Sequence, residues 1–216
     1  MSGLSQRVLN GIQKWISHSL PYDEEIKMNR KVFCVGLNKT GTTSLHEAFK
    51  ILGLKSAHYM DGEGNSIKDI IENNYLTRDN IIRGLEGYDA FSDWDRPPHT
   101  VDIVKEFYKQ YPDSLYILNT RNLDDWLNSR ENHVRKNQER KRKNPDEDIG
   151  WLKIDRVGWE IEFKNHYNEV NKYFEGRKDN LLVFDVTKGD DWEKLCPFLG
   201  LPIPTTPFPK KNASSK

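Results

Sequence analysis

One short stretch concentrates the groups that could handle an anion: Gly36-Leu-Asn-Lys-Thr-Gly-Thr-Thr-Ser44. An apolar run, Lys31-Val-Phe-Cys-Val35, precedes it, and helical spacing from Leu45 to Leu52, closed by Gly53, follows it. Strand, glycine turn and helix in that order aim backbone N–H groups and a helix N-terminus at a phosphate. The Gly36-x4-Gly41 spacing is that of a P-loop, whose usual ending is Gly-Lys-Ser/Thr. Here Thr42-Thr43 follows Gly41, and the lysine lies inside the loop at Lys39. A kinase or ATPase carries that lysine on the helix, spanning the β- and γ-phosphates beside a magnesium-binding hydroxyl. Moved forward, its charge falls on the other side of the bound phosphate, where a leaving oxygen could sit.

A second constellation is Thr120-Arg-Asn-Leu-Asp-Asp-Trp-Leu-Asn-Ser129. Arg121 stands at the C-terminal end of an apolar run, and Ser129 follows two helical turns later. Strand C-terminal ends line the ligand crevice of a doubly wound sheet. A guanidinium and a hydroxyl converging there suit a second phosphate.

These residues need a scaffold, and the pattern supplies one. Lys31–Val35 is a short continuous apolar run, the pattern of a buried parallel strand, and Ser56–Met60 (a weak one), Tyr88–Ser92, Leu115–Leu118 and Asn180–Phe184 also read as strands. Helical periodicity falls between them: Leu45–Leu52, Ile67–Leu76, Asn80–Leu85, Val101–Tyr111, a helix around Trp126 and Leu127, Trp151–Phe174 and Trp192–Leu199. Residues 133–149, with a basic run Arg135–Lys143 answered by Asp146-Glu-Asp148, read as a mobile, solvated segment or a lid. Strands alternating with helices imply an α/β fold, a single domain with a central parallel sheet flanked by helices on both faces. Residues 4–18 carry helical amphipathic spacing and Ser19–Arg30 is a polar link, so residues 1–30 precede the domain proper, 31–216.

With 216 residues, one core closes without staples. The 33 basic and 33 acidic side chains cancel, which excludes a globally basic nucleic-acid binder. Cys34 and Cys196 are too few for a disulfide framework or a zinc site and read as buried free thiols. No stretch reaches the ~18 apolar residues of a membrane span, and the first residues lack a signal peptide's pattern. A cytoplasmic protein is the expectation.

The two constellations together resemble the sulfotransferases that use 3′-phosphoadenosine 5′-phosphosulfate (PAPS). Lys39 to Ser44 matches that family's Lys-Thr-Gly-Thr-Thr-Ser loop, and Arg121 with Ser129 matches its Arg–Ser spacing. Leu181–Asp185, Asp191–Gly200 and Pro207-Phe-Pro209 look like the closing segment of one branch. The resemblance implies a P-loop NTPase-like fold and in-line sulfuryl transfer to a hydroxyl or amine of a small-molecule or glycan acceptor, without metal. It implies that Lys39 contacts the bridging oxygen and that Thr40, Gly41, Thr42, Thr43 and Ser44 hold the 5′-phosphate. Arg121 and Ser129 would hold the 3′-phosphate. The family's base stands at the end of the strand before the Arg-bearing one, here Ser92-Asp-Trp-Asp95. Asp93 is the choice, by likeness to an Asp-x-Pro context. Asp95 occupies the proline's place, so Asp95 and His99 stay open. His58 could face the acceptor pocket, His166 matches a histidine of the related branch, and Lys210 and Lys211 lie where the cytosolic family keeps a basic 3′-phosphate loop.

Two other classes compete with this reading. One is a nucleoside or nucleotide kinase with a modified P-loop, which the missing Gly-Lys-Ser/Thr opposes. The other is a non-catalytic nucleotide-binding module.

Overall fold

The structure, a computed structural model, describes residues 30–95 and 98–211. The amphipathic segment 4–18 and its link therefore lie outside the described residues, as does Pro97. Strands β1 (Val32–Cys34), β2 (Ser56–His58), β3 (Ala90–Ser92), β4 (Leu115–Asn119) and β5 (Leu181–Phe184) form one sheet in the order β2-β3-β1-β4-β5. Every pairing is parallel. Among the described residues six α-helices accompany them: α1 (Thr42–Ile51), α2 (Ile67–Leu76), α3 (Thr100–Gln110), α4 (Leu123–Lys143), α5 (Arg156–Tyr173) and α6 (Trp192–Leu199).

The three inner strands, β1, β3 and β4, are buried on both faces, whereas the edge strands β2 and β5 are partly exposed. Phe33, Val35, Tyr116 and Leu118 enter a core with residues of α2, α3, α4 and α5. Their neighbours Val32, Cys34, Leu115 and Ile117 pack the opposite core with Leu45 and Phe49 of α1 and Trp192 and Leu195 of α6. Phe33 is the hub of the first core, stacked on Phe91, Phe107 and Tyr116. Cys34 and Cys196 are free and buried, as their apolar neighbours imply, and burial pushes both thiols up.

β1 is central, between β3 and β4: the chain leaves it towards β2 at one edge of the sheet, returns to β3, and then crosses to β4 on the other flank. The crevice at the C-terminal ends of β1 and β4 is thus the switch point where an open α/β sheet binds its ligand.

Three expectations need correction. Asn80–Leu85 is not helical but a run of turns at Ile81–Gly84. Side chains claim its backbone: Asn74 Nδ2 donates to the carbonyls of Ile81 and Arg83, and Gln110 Oε1 accepts from Ile81 N. The supposed mobile segment 133–149 is, up to Lys143, the second half of the 21-residue α4. Its charges are patterned for a helix, with Asp124 and Asp125 in the first turn and four basic residues in the last, each complementing the helix dipole. Arg135–Glu131 and Lys143–Glu139 add i,i+4 pairs. The third concerns α5, which begins at Arg156 rather than Trp151, where Asp155 caps it by accepting from Gly158 N.

Candidate active site

The loop after β1 is clipped to the end of β4 by one side chain. Asn119 Oδ1 accepts from Gly36 N at 2.9 Å, and Asn119 Nδ2 donates to Thr40 Oγ1 at 2.6 Å and to the Leu37 carbonyl at 3.3 Å. All of these groups are buried, so the bonds satisfy polar groups held away from water, and Thr40 Oγ1 also donates to the Leu37 carbonyl. Gly36 is required by closeness: a Cβ there would stand 1.8 Å from the Asn119 carbonyl oxygen. Gly41 is required by conformation, with φ 91°, and Val186 packs behind it. Trp126 Nε1 holds the Asn38 carbonyl at 2.8 Å. Gly41 is the N-cap of helix α1 and offers no side-chain cap, so the first-turn amides point along the axis towards the loop. Thr40, Thr42 and Ser44 are buried there, and Ser44 Oγ accepts from the Lys211 amide at 3.0 Å.

Arg121, at the end of β4, reaches the same loop. Its Nη1 donates to the Lys39 carbonyl at 3.4 Å, while its Nε is buried with no partner. An unpaired guanidinium N–H beside a glycine loop at a helix N-terminus is the kind of orphan that a bound anion would satisfy. Ser129 lies on α4, partly exposed, one turn before His133.

Lys39 stands at the centre. It has φ 63°, and burial lowers its ammonium below the ordinary lysine range, with Asp93 opposing that trend. Its Nζ lies 3.3 Å from His133 Nδ1, which accepts from it when neutral. Asp93 follows β3 with φ 60°, and its Oδ2 is 3.7 Å from His58 Nε2. The same His58 nitrogen is 3.3 Å from Thr42 Oγ1, and burial holds its imidazole down. Lys39, Asp93 and Trp151 are three of the five described non-glycine residues with positive φ, so backbone strain gathers around this lysine.

The other carboxylate behaves differently. Asp95 Oδ2 accepts from Asn38 Nδ2 at 3.0 Å, and burial together with the charge of Asp93 pushes its carboxyl up to about 7. His99 turns elsewhere, its ring 5.6 Å from that of Tyr75. His166 is a structural clip: its Nε2 donates to the Val35 carbonyl at 2.7 Å, and burial pushes it down to about 4. Among the described residues, no group of three or more His, Cys, Asp or Glu is arranged to hold a metal, and no helix is long and apolar enough to cross a membrane.

A family model described as a sulfotransferase domain matches residues 31–154 and 152–216. The chain belongs to the sulfotransferase family. A curated relative, Ava biosynthesis cluster protein M of Aspergillus versicolor, is 27% identical over 214 residues, covering 83% of this chain and 79% of the relative. The five-stranded parallel sheet flanked by helices fits that family's P-loop-like fold.

Several residues that build this sulfotransferase domain's site escaped the sequence reading. Asn119 carried one usable signal, an amide at the end of an otherwise apolar strand. Trp126, His133 and Trp151 carried none, since aromatic and imidazole groups on helical segments usually serve packing.

Proposed function

We propose that the protein transfers a sulfuryl group from PAPS to a hydroxyl or amine of a small-molecule or glycan acceptor, in line, with a carboxylate as base. The observation that carries this reading is the pairing of an uncapped phosphate loop with Arg121, whose buried Nε lacks a partner. Two anion subsites, one on each side of Lys39, suit a donor with a 5′- and a 3′-phosphate. The donor supplies, when bound, a sulfuryl group activated by its link through oxygen to a phosphate.

The chain's own residues do the rest. Loop amides and hydroxyls from Thr40 to Ser44 bind the 5′-phosphate, and Arg121 with Ser129 binds the 3′-phosphate. Lys39 places its ammonium against charge that develops on the leaving oxygen. Its desolvated setting strengthens that interaction. Asp93 takes the acceptor's proton on its carboxylate, because it faces Lys39 and stays open to solvent on one side. Asp95 is less suited: its carboxyl is pushed up to about 7 and is already bonded to Asn38.

Calorimetry with adenosine 3′,5′-bisphosphate, with and without EDTA, tests the donor side. Micromolar-range binding indifferent to EDTA is expected, whereas binding only of ATP with magnesium would return the kinase reading. Acceptor pools incubated with labelled PAPS then test transfer itself.

A further inference from the structure

Arg130 is buried, at 7% exposure, and takes no part in the chemistry above. Its guanidinium is enclosed by three indoles from three segments: Trp126 of α4 at 4.6 Å, Trp151 at 4.9 Å and Trp159 of α5 at 5.0 Å. Nη1 donates to Glu162 Oε2 at 2.8 Å. Two of these indoles belong to core helices. Trp151 does not: it sits in the stretch 144–155, which leaves the end of α4 and runs back along that helix.

Specific bonds hold that stretch in place. Asn137 Nδ2 donates to the Gly150 carbonyl at 2.9 Å and Gln138 Nε2 to the Leu152 carbonyl at 2.7 Å, one clip on either side of Trp151. Arg140 pairs with Glu147 further back. Between the clips Trp151 adopts φ 55°, a strained backbone for an indole-bearing residue. What the strain achieves is a position: the indole lies over Arg130, meets His133 edge-on at 5.2 Å, and stands 6.0 Å from Lys39 Nζ. His133 in turn contacts the lysine. A continuous chain thus runs from the buried Arg130 through Trp151 and His133 to Lys39.

We propose that residues 144–155 are a strap latched by Arg130, and that Trp151 and His133 are positioning residues that hold the Lys39 amine aside from water. The proposal deepens the sulfotransferase reading by naming what sets the state of its central lysine. Burial, the largest influence on Lys39, depends on cover, and the strap is what covers it on the α4 side. The charged and titratable groups around the amine are Asp93, Asp95, His58 and His133, with Arg130 and Lys136 repelling it.

The test needs no acceptor. Competitive acylation of the whole protein with acetic anhydride across pH, read by mass spectrometry, gives the midpoint of Lys39 alongside those of exposed lysines. Limited trypsin digestion at Lys153 reads the strap. Trp151 is 37% exposed, so Trp151→Ala should fold. In that variant the Lys39 midpoint is expected to rise by about half a pH unit or more toward the ordinary lysine value. Cleavage at Lys153 is expected to accelerate roughly tenfold as local opening becomes easier. Trp151→Phe, which keeps a ring over Arg130, is expected to restore most of both. A strap released in Trp151→Ala with the Lys39 midpoint unmoved, or a strap not released at all, would overturn the proposal. Bisphosphate titration of the wild type in parallel keeps the questions apart. If it fails to bind, the sulfotransferase reading falls, while the acylation result still decides the strap.

Discussion

The two flanks of Lys39 are held by different physics. On the loop flank, backbone groups of Gly36, Leu37 and Asn38 and the Thr40 hydroxyl are fixed by short hydrogen bonds to Asn119 and Trp126. On the carboxylate and strap flank, the ties are charges and rings: Asp93 beside His58, Arg130 among indoles, His133 edge-on to Trp151. That flank also holds orphaned atoms, Asn38 Oδ1, Arg130 Nε and Glu162 Oε1. Directional bonds to backbone leave one arrangement for the group they hold. Ring stacking and longer ion pairs tolerate several, which would suit the acceptor side of the proposed reaction better than its phosphate side.

The widest separation between the flanks is expected in turnover. Asp93→Asn keeps the shape and removes the proton acceptor, so kcat should fall by about 10²–10⁴ while bisphosphate affinity barely moves. Lys39→Ala should lower kcat by about 10²–10³ and weaken the donor as well. Near-wild-type turnover in Asp93→Asn, with loss in Asp95→Asn, would move the base and redraw the carboxylate flank.

Stability should separate them next. Asn119→Ala removes three hydrogen bonds and strands buried loop groups, so urea unfolding is expected to register a loss of about 3 kcal/mol. A loss below about 1 kcal/mol would mean that the loop is not as rigid as its bonds suggest.

Affinity comes third. Arg121→Ala should weaken adenosine 3′,5′-bisphosphate by about 1.5–3 kcal/mol and leave adenosine 5′-phosphosulfate, which lacks the 3′-phosphate, nearly unchanged. Equal losses for both ligands would place Arg121 on the other phosphate.

The smallest effect is a pH dependence. Asp95 is pushed up to about 7 from 3.8, so between those values the folded protein keeps a proton that the unfolded chain has lost. Stability contributed at this site therefore falls as pH rises through that window. Asp95→Asn is spared the fall, and its advantage over wild type should grow by about 1–2 kcal/mol from pH 4 to pH 8, discounted for the residue's partial exposure. A constant difference across that range would show that Asp95 titrates normally.

The same asymmetry explains what the sequence disclosed. The loop was legible because its chemistry is local: glycines at fixed spacing, hydroxyls in sequence, a strand before and a helix after. β1, β3 and β4 were legible because burial on both faces selects apolar residues, β5 because it stays apolar though partly exposed at the sheet edge, and the helices α2, α3 and α6 because their apolar stripes are clean. α4 was cut short because its exposed second half has no apolar stripe, only charges whose meaning lies in their spacing. Arg130, His133 and Trp151 were illegible as a group because nothing local links them; the turn at Pro145–Glu147 sends the chain back and brings the third to the other two. His166 was noticed by likeness, but only the Val35 carbonyl beside it explains it as a clip.

The Asn119 clip also has a bearing on how the chain is made. Gly36 and Asn119 are 83 positions apart, so during synthesis the loop's complete sequence emerges long before the amide that fixes it. Joining ends so far apart carries a loop-closure entropy that strand–turn–helix formation alone does not repay. A nascent chain that stops short of β4 holds every residue from Lys39 to Ser44 and still has the Gly36 amide without its partner. The geometry of the loop is accordingly acquired with the pairing of β1 and β4, not with the nine residues that spell it.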